Sequence, residues 1–292
     1  MFGHNLINAA AGNLDSGFVS GVYFDKYGVV LNKTLGWEAS SLINPSVILD
    51  GSTYKMWYGS NLKIGYATSS DGITWTKESS PVLEQTGGQW DSNRVDNCSV
   101  IKNGSTYMMW YTNEYSVGLA TSSDGITWTK EATNPVMDRG AGGQWDDVLI
   151  IDICVILVGS TYKIWYQASD GSNYRIGLAT SSDGITWTKE ATNPVLDYGA
   201  GLVGVLSPFV ILNDDGMYML WYSGNIASGQ DIRYATSSDG ITWTKEPINP
   251  IMSKGSSKHI SQPCVVYDGT ALKMWYIDHN YSYWNISLAT SS

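Results

Sequence analysis

The segment ATSSDGITWTKE occupies residues 67–78 and returns unchanged at 120–131, 179–190 and 235–246. A fifth copy begins at Ala289 and runs only to ATSS. A second marker keeps the same period: the pairs Trp57-Tyr58, Trp110-Tyr111, Trp165-Tyr166, Trp221-Tyr222 and Trp275-Tyr276 are spaced by 53, 55, 56 and 54 residues. Five units of this length without helical periodicity match propeller blades rather than helical or leucine-rich repeats.

Turn chemistry places four strands, A to D, in each unit. In the first unit PSVIL (45–49) is followed by the turn DGS, TYKMWY (53–58), KIGYATS (63–69), the turn SDG and ITWTKE. Asp-Gly supplies the left-handed positions of a tight hairpin, and Ser and Asp side chains can bond the turn amides, so SSDGITW reads as structural punctuation. It resembles a shortened form of the Asp-box turn SxDxGxTW of sialidase-type propellers, with one residue missing. Strand B is apolar or aromatic on both faces, as expected of a sheet sandwiched between two others.

The fifth unit lacks its own strand D, whereas YFDKYGVVLNKTLGW (23–37) is strand-like and has no unit of its own. The expected fold is all-β: a five-bladed β-propeller with four antiparallel strands per blade, closed by an N-terminal strand at about 22–36 that completes the last blade. Its blades fall at about 40–78, 94–131, 149–190, 205–246 and 260–292, in one domain over 1–292. Closure of this kind leaves no unpaired blade.

Charge and composition remove several function classes. Seventeen Lys and Arg against 27 Asp and Glu give a formal charge of −10, which opposes attraction to a phosphate backbone, so nucleic acid is not expected as a partner. No run of 18 apolar residues occurs and MFGHNLINAAAGN has neither a basic nor a long apolar region, so neither a membrane span nor a signal peptide is expected, and localisation stays open. Cys98, Cys154 and Cys264 are widely spaced and read as buried thiols. A monomer is expected.

The loops between strands B and C vary (GSNL, TNEYS, QASDGSNY, SGNIASGQD, IDHNYSYW), whereas the turns on the opposite face are near-copies. Variation on one rim over a uniform frame is the layout of a site on a scaffold. Nine of the 13 Trp are repeat positions, and the other four, Trp37, Trp90, Trp145 and Trp284, fall on the variable rim. Aromatic rings with acids and amides around them suit a sugar, whose C–H face stacks while its hydroxyls take hydrogen bonds. Trp90 and Trp145 belong to two copies of GGQWD and either stack on a sugar or pin their loops. Tyr115, Tyr174, Tyr198, Tyr281 and Tyr283 are further rim aromatics.

Five units, an NPSVI-like strand A at the axis, YKMWY in strand B and ATSSDGITW across the C–D turn resemble the five-bladed glycosidase superfamily of arabinanases, β-xylosidases, levansucrases and invertases, in particular glycoside hydrolase families 43 and 32. The resemblance runs from about residue 40 to 292. It implies three carboxylates at the funnel: a base or nucleophile Asp on blade one, an orienting Asp on blade two and an acid Glu on blade three. The corresponding strand A starts here are Asn44, Asp96-Asn97, Asp152, Ser207 and Gln262. Blade one thus carries an amide, which cannot act as a base, and blade three carries Asp where the family has Glu.

Asp152 lies in LIIDICVIL, where an acid is costly unless paired, hydrogen-bonded or functional. The catalytic candidates are Asp96 and Asp152, with Glu114 as a displaced acid. Substrate-binding candidates are Asn44, Trp90, Asp91, Arg94, Asn97, Trp145, Asp146, Asp147, Ser207, Gln262 and Trp284. No cofactor is required, although the resemblance allows a structural calcium at the axis beside His259. The sequence therefore reads as a carbohydrate-active propeller acting on a glycan by hydrolysis, with a non-catalytic glycan-binding module on the same scaffold as the alternative.

Overall fold

The computed structural model describes residues 23–38, 41–199, 201–255, 259–279 and 283–291. The described chain is all-β, with no helix and hence none able to cross a membrane. After an initial strand β1 (Phe24–Leu31) come five repeated units. The first holds β2 (Ile43–Asp50), β3 (Thr53–Ser60), β4 (Lys63–Ser69) and β5 (Thr76–Lys77). The second holds β6 (Asn97–Asn103), β7 (Thr106–Thr112), β8 (Ser116–Ser122) and β9 (Thr129–Lys130), followed by a short β10 (Met137–Asp138) on the edge of β8. The third holds β11 (Leu149–Val158), β12 (Thr161–Ser169), β13 (Tyr174–Ser181) and β14 (Thr188–Lys189). The fourth holds β15 (Gly204–Leu212), β16 (Tyr218–Ile226), β17 (Gly229–Ser237) and β18 (Thr244–Lys245). The fifth holds β19 (His259–Tyr267), β20 (Leu272–His279) and β21 (Trp284–Ser291).

Each unit is an antiparallel meander. One parallel pairing, Tyr174 with Gly204, joins the third sheet to the fourth, and an isolated parallel bridge, Ser41 with Trp284, joins the start of the first unit to the fifth. β1 supplies the fourth strand of the last sheet, antiparallel to β21, with Phe24 opposite Ser291 and Leu31 opposite Ile286. The N-terminal stretch therefore pairs where the missing strand D left an edge.

Five hydrophobic clusters lie among the described residues, and each mixes side chains of two successive units. Trp57 of the first unit packs with Val100 and Met109 of the second, Trp110 with Val155 and Ile164, and Trp165 with Val210 and Leu220. Trp221 packs with Val265 and Met274, and Trp275 with Val47 and Met56 of the first unit. The strand-B Trp and Tyr pairs are fully buried because both faces of every sheet meet a neighbour. Removing such a Trp side chain typically costs about 3–5 kcal/mol.

The invariant turn links adjacent units. Ser69 Oγ accepts the Gly72 N–H at 2.8 Å, and Asp71 Oδ1 accepts the N–H groups of Ile73 (2.7 Å) and Thr74 (2.8 Å). Those backbone bonds and Ser69 hold the Asp71 carboxyl down at about 2. Gly72 has φ +78, and a Cβ there would lie 2.8 Å from Trp275, so only glycine fits. Its carbonyl accepts the indole N–H of Trp275. The same bond runs from Trp57 to Gly125, Trp110 to Gly184 and Trp165 to Gly240. Trp221 Nε1 has no hydrogen-bond partner among the described residues.

Candidate active site

The first strands of the units, β2, β6, β11, β15 and β19, touch one another in cyclic order. In four of them the ladder slips at the expected axial position: between Ile43 and Ser46, Ile150 and Ile153, Leu206 and Phe209, and Ser261 and Cys264. Such bulges re-aim side chains. Asn44, Ser207 and Gln262 take left-handed backbone (φ +50, +49 and +53), an arrangement that costs free energy in non-glycine residues and concentrates at functional sites. The N–H groups released from the ladder are captured by side chains. Asn44 N–H donates to Gln262 Oε1 (2.9 Å), Ser207 N–H to Gln167 Oε1 (3.0 Å) and Gln262 N–H to Ser223 Oγ (3.0 Å).

These four bulges, with the unslipped start of β6, bring Asn44, Asp152, Ser207, Gln262 and Asn97, one residue from each unit, around a common hollow. It opens into a cavity of about 570 Å³, also lined by Arg94, Gln167, Tyr174, Asn225, Gln230 and Trp284. The volume is that of a small-molecule site. Residues at the ends of second strands and the starts of third strands form its wall, which puts the variable loops on the cavity side.

Among the described residues Asp152 is the carboxyl that lines this cavity. It is half-buried, facing the hollow with protein on its other sides. Burial pushes it up to about 6, against the Ser207 hydroxyl that donates to Oδ2; the Asp96 charge adds to the rise, and Arg94 and the Asn97 amide oppose it. A carboxyl in that range carries a proton over part of the neutral range, as a proton donor requires.

Asp96 is buried behind the wall rather than on it. Both of its oxygens are held by Arg94, with Nε at 2.9 Å from Oδ1 and Nη2 at 2.7 Å from Oδ2. Arg94 Nη1 pairs with Glu114, whose side chain remains one-third exposed at 33%. The sequence left open which of Asp96 and Asn97 faces the axis. The structure puts Asn97 on the cavity and Asp96 into a bidentate ion pair.

The tryptophan-acid pairs of the rim act inside their own sheets. Trp90 stacks near Tyr111 (centroids 5.5 Å) and Trp145 near Tyr166 (5.7 Å), as Trp37 does with Tyr58 (6.2 Å). Each lies flat on a glycine of the third strand: a Cβ at Gly118 would fall 2.3 Å from Trp90, and one at Gly177 2.7 Å from Trp145. The following acids are buried and engaged. Asp91 accepts Tyr111 Oη (3.4 Å) and pairs with Lys130, and Asp146 accepts Tyr166 Oη (3.4 Å) and Lys189 (2.6 Å). Glu38 does the same with Tyr58 (2.8 Å) and Lys77 (2.6 Å). Of the two readings of GGQWD, the geometry is that of a loop latch, and neither Trp90, Asp91, Trp145 nor Asp146 lines the cavity. Asp147 accepts the Gly143 N–H (2.6 Å) within its turn.

Tyr174 and Trp284 reach the cavity. Tyr115 and Tyr198 sit beneath Arg139 (5.0 Å) and Arg175 (6.0 Å), and Tyr283 beneath Lys33 (5.8 Å), while Tyr281 lies outside the described residues. His259 stacks with His279 (5.6 Å) and Trp284 (6.1 Å). Calcium takes six to eight oxygen ligands. Among the described residues no group of three or more His, Cys, Asp or Glu is placed to hold a metal. Cys98, Cys154 and Cys264 are buried free thiols, as expected.

Gln167, Asn225 and Gln230 were not singled out from the sequence. Their signal was present: QASDGSNY and SGNIASGQD are among the longer variable loops, and these amides lie within them.

A family model described as beta-1,4-mannooligosaccharide phosphorylase, glycoside hydrolase family 130, matches residues 113–263, more than half of the chain. An uncharacterized protein of Mycobacterium tuberculosis (strain CDC 1551 / Oshkosh) is 34% identical over 170 residues, 54% of this chain and 56% of that protein. The chain spans about half the length of the curated relatives it matches. Among solved structures, one described as a glycoside hydrolase superposes with a TM-score of 0.76 at 19% identity, covering 94% of this chain and 92% of its own. A structure described with the GH130 family of mannoside phosphorylases, said to contain hydrolases that target beta-1,2 mannosidic linkages in Candida mannan, gives 0.71 at 17% identity and covers 94% and 96%. The alpha-L-arabinofuranosidase of Podospora anserina in complex with cellotriose gives 0.69 at 14% identity and covers 93% and 97%. These likenesses establish the β-propeller fold of the glycosidases. The chain belongs to glycoside hydrolase family 130, within the propeller glycosidase superfamily that its repeats and axial strands resemble.

Proposed function

We propose that this chain is a glycoside hydrolase acting on a manno-oligosaccharide in the axial funnel of a single five-bladed propeller. The cyclic order of the five cores, the Trp-to-turn bonds and the pairing of β1 with β21 support the five-bladed ring. The family description and the mannosidic relative favour a β-linked mannoside.

The observation that carries the reading is Asp152: a carboxyl raised to about 6 on the wall of a sugar-sized cavity, with one oxygen taken by Ser207 and the rest of the wall rich in amides. In this account Asp152 donates its proton to the leaving glycosidic oxygen. Glu114, partly exposed and paired with the cavity-lining Arg94 rather than itself on the wall, is assigned the proton of the attacking water. Trp284 and Tyr174 offer ring faces, and Asn44, Asn97, Gln167 and Gln262 offer amides to sugar hydroxyls.

A second reading, glycan binding without turnover, is favoured by Asn44, an amide where the resemblance implies a base. Incubation with β-1,2- and β-1,4-linked manno-oligosaccharides, with arabino-, xylo- and fructo-oligosaccharides as controls, separates the two. Release of shorter mannosides that stops in Asp152→Asn supports the hydrolase. Saturable binding that survives this change, without products, supports the binder.

A further inference from the structure

Asp152 sits where the ladder of β11 with β12 slips, between Ile150 and Ile153, and its Oδ2 accepts the hydroxyl of Ser207 from the next unit. Ser207 occupies the matching slip of β15, between Leu206 and Phe209, with left-handed backbone at φ +49. A bulge aims the side chain it carries, and a serine keeps this conformation only where its surroundings hold it there. The holding bond runs from Ser207 N–H to Gln167 Oε1, at 3.0 Å. Gln167 lies on β12, next to the strand of Asp152, and is buried. Its Nε2 has no hydrogen-bond partner among the described residues, so the bond to Ser207 is the polar link of its side chain. The path leaves the third unit at Gln167, turns through Ser207 of the fourth and returns to the third at Asp152.

The repeat shows what is particular to this junction. Gln167 follows the Trp-Tyr pair of its unit, and Ser223 stands at the same place in the fourth. Ser223 Oγ accepts the N–H of Gln262, again the left-handed axial residue of the next unit, at 3.0 Å. In the fifth unit Ile277 holds that place and has no side-chain acceptor, and the Asn44 N–H is taken by Gln262 Oε1 instead. Anchoring of an axial N–H is therefore a device of the scaffold that a serine serves as well as a glutamine. At the junction of the third and fourth units the anchored residue in turn donates to a carboxyl that lines the cavity.

We propose that Gln167 is a positioning residue for the proton of Asp152: by holding the Ser207 backbone it fixes the hydroxyl that stabilises the ionised carboxyl. This rests on the hydrolase reading only for the use made of that proton, and the link from Gln167 to Asp152 stands without it. A hydroxyl that donates to the ionised form holds a carboxyl down. Losing the Gln167 acceptor leaves a buried N–H unpaired, lets Ser207 relax out of the left-handed region and turns its Oγ away, so Asp152 keeps its proton to higher pH. The charged groups that act on Asp152 are Asp96, which raises it, and Arg94, which lowers it, both at the entry to β6; changes at Gln167 and Ser207 leave both in place.

The test follows the Asp152 carboxyl by carbon-detected NMR through the neutral range in the full chain. Ser207→Ala deletes the hydroxyl, and Gln167→Met deletes the acceptor at similar length. Each is expected to move the Asp152 titration upward by roughly half a unit or more, and the double variant no further than Ser207→Ala alone. Gln167→Ser, which copies the Ser223 arrangement, is expected to keep the wild-type titration. A Gln167→Met titration equal to that of the wild type, or additive shifts in the double variant, overturns the proposal. If Gln167→Met does not fold, the side-chain amide resonance of Gln167 decides. It is expected to move with the Asp152 titration in the wild type and to lose that response in Ser207→Ala; a resonance flat through the titration overturns the proposal. Absence of turnover on every oligosaccharide would end the hydrolase reading and leave the titration result standing.

Discussion

Trp275 Nε1 in the last unit donates to the carbonyl of Gly72 in the first, at 3.0 Å. The bond repeats between the first and second, second and third, and third and fourth units, and lapses at Trp221, between the fourth and fifth. A second set of links follows the same order. Ser46 Oγ accepts Val100 N–H (3.0 Å), Ser99 Oγ accepts Val155 N–H (2.9 Å), Cys154 Sγ accepts Val210 N–H (3.2 Å) and Cys264 Sγ accepts Val47 N–H (3.2 Å). The fourth unit has Phe209 at this position, so both of these links are missing at one junction, which is held by apolar packing and by the Gln262 N–H to Ser223 Oγ bond (3.0 Å).

This difference predicts unequal costs for one chemical change. Trp165→Phe removes a buried hydrogen bond to Gly240, whereas Trp221→Phe removes an indole N–H that has no partner among the described residues. Both lose similar ring volume. Equilibrium urea unfolding is expected to show Trp165→Phe less stable than Trp221→Phe by about 1–2 kcal/mol. Equal losses would contradict the linking role of the turn carbonyl.

The latch makes a steric prediction. Gly118→Ala places a methyl where Trp90 lies and should cost roughly 1–3 kcal/mol, read as a lower Tm. At the equivalent position of the fourth unit, which has no such Trp, the chain carries Arg233, ion-paired to Asp231 at 2.7 Å. An unchanged Tm for Gly118→Ala would remove the latch from the account.

Two opposite pH effects follow from the acids. Asp71, Asp124, Asp183 and Asp239 are held at about 2 by backbone N–H bonds of their turns, below the ordinary Asp value. Their contribution is therefore complete above the unfolded value of about 4 and is lost as pH falls through about 2. These carboxylates are exposed and screened, so each effect is small, and Asp124→Asn should only reduce the slope of acid unfolding. Asp152 works the other way. Its raised value means that the native chain keeps a proton the unfolded chain gives up, so its cost grows as pH rises from about 4 to about 6. Asp152→Asn is expected to stabilise the fold at pH 7 by roughly 1–2 kcal/mol in thermal or urea unfolding. A destabilised variant would show that the charge is well solvated or needed for packing.

Strand positions and the axial residues were legible because the repeat repeats its turn chemistry. Once Gly72, Gly125, Gly184 and Gly240 mark hairpins, the first strands follow, and Asn44, Asp152, Ser207 and Gln262 fall at equivalent places. The choice between Asp96 and Asn97 was not legible. It depends on register, and β6 pairs without the slip seen in the other first strands. The role of GGQWD was hidden because its partners are distant: a lysine of the fourth strand and a glycine of the third. A periodic signal did exist, since Trp37, Trp90 and Trp145 coincide with Gly65, Gly118 and Gly177, and the glycine is replaced by Arg233 and Ser287 in the two units without the latch.

The most direct test is the pH dependence of kcat/KM for manno-oligosaccharide hydrolysis by the wild type and Asp152→Asn. The account predicts that kcat/KM declines as pH rises through about 6, with the loss of the Asp152 proton, and that Asp152→Asn is slower by roughly 10²–10⁴-fold across the range. Turnover that is flat through pH 6 and retained in Asp152→Asn would contradict it.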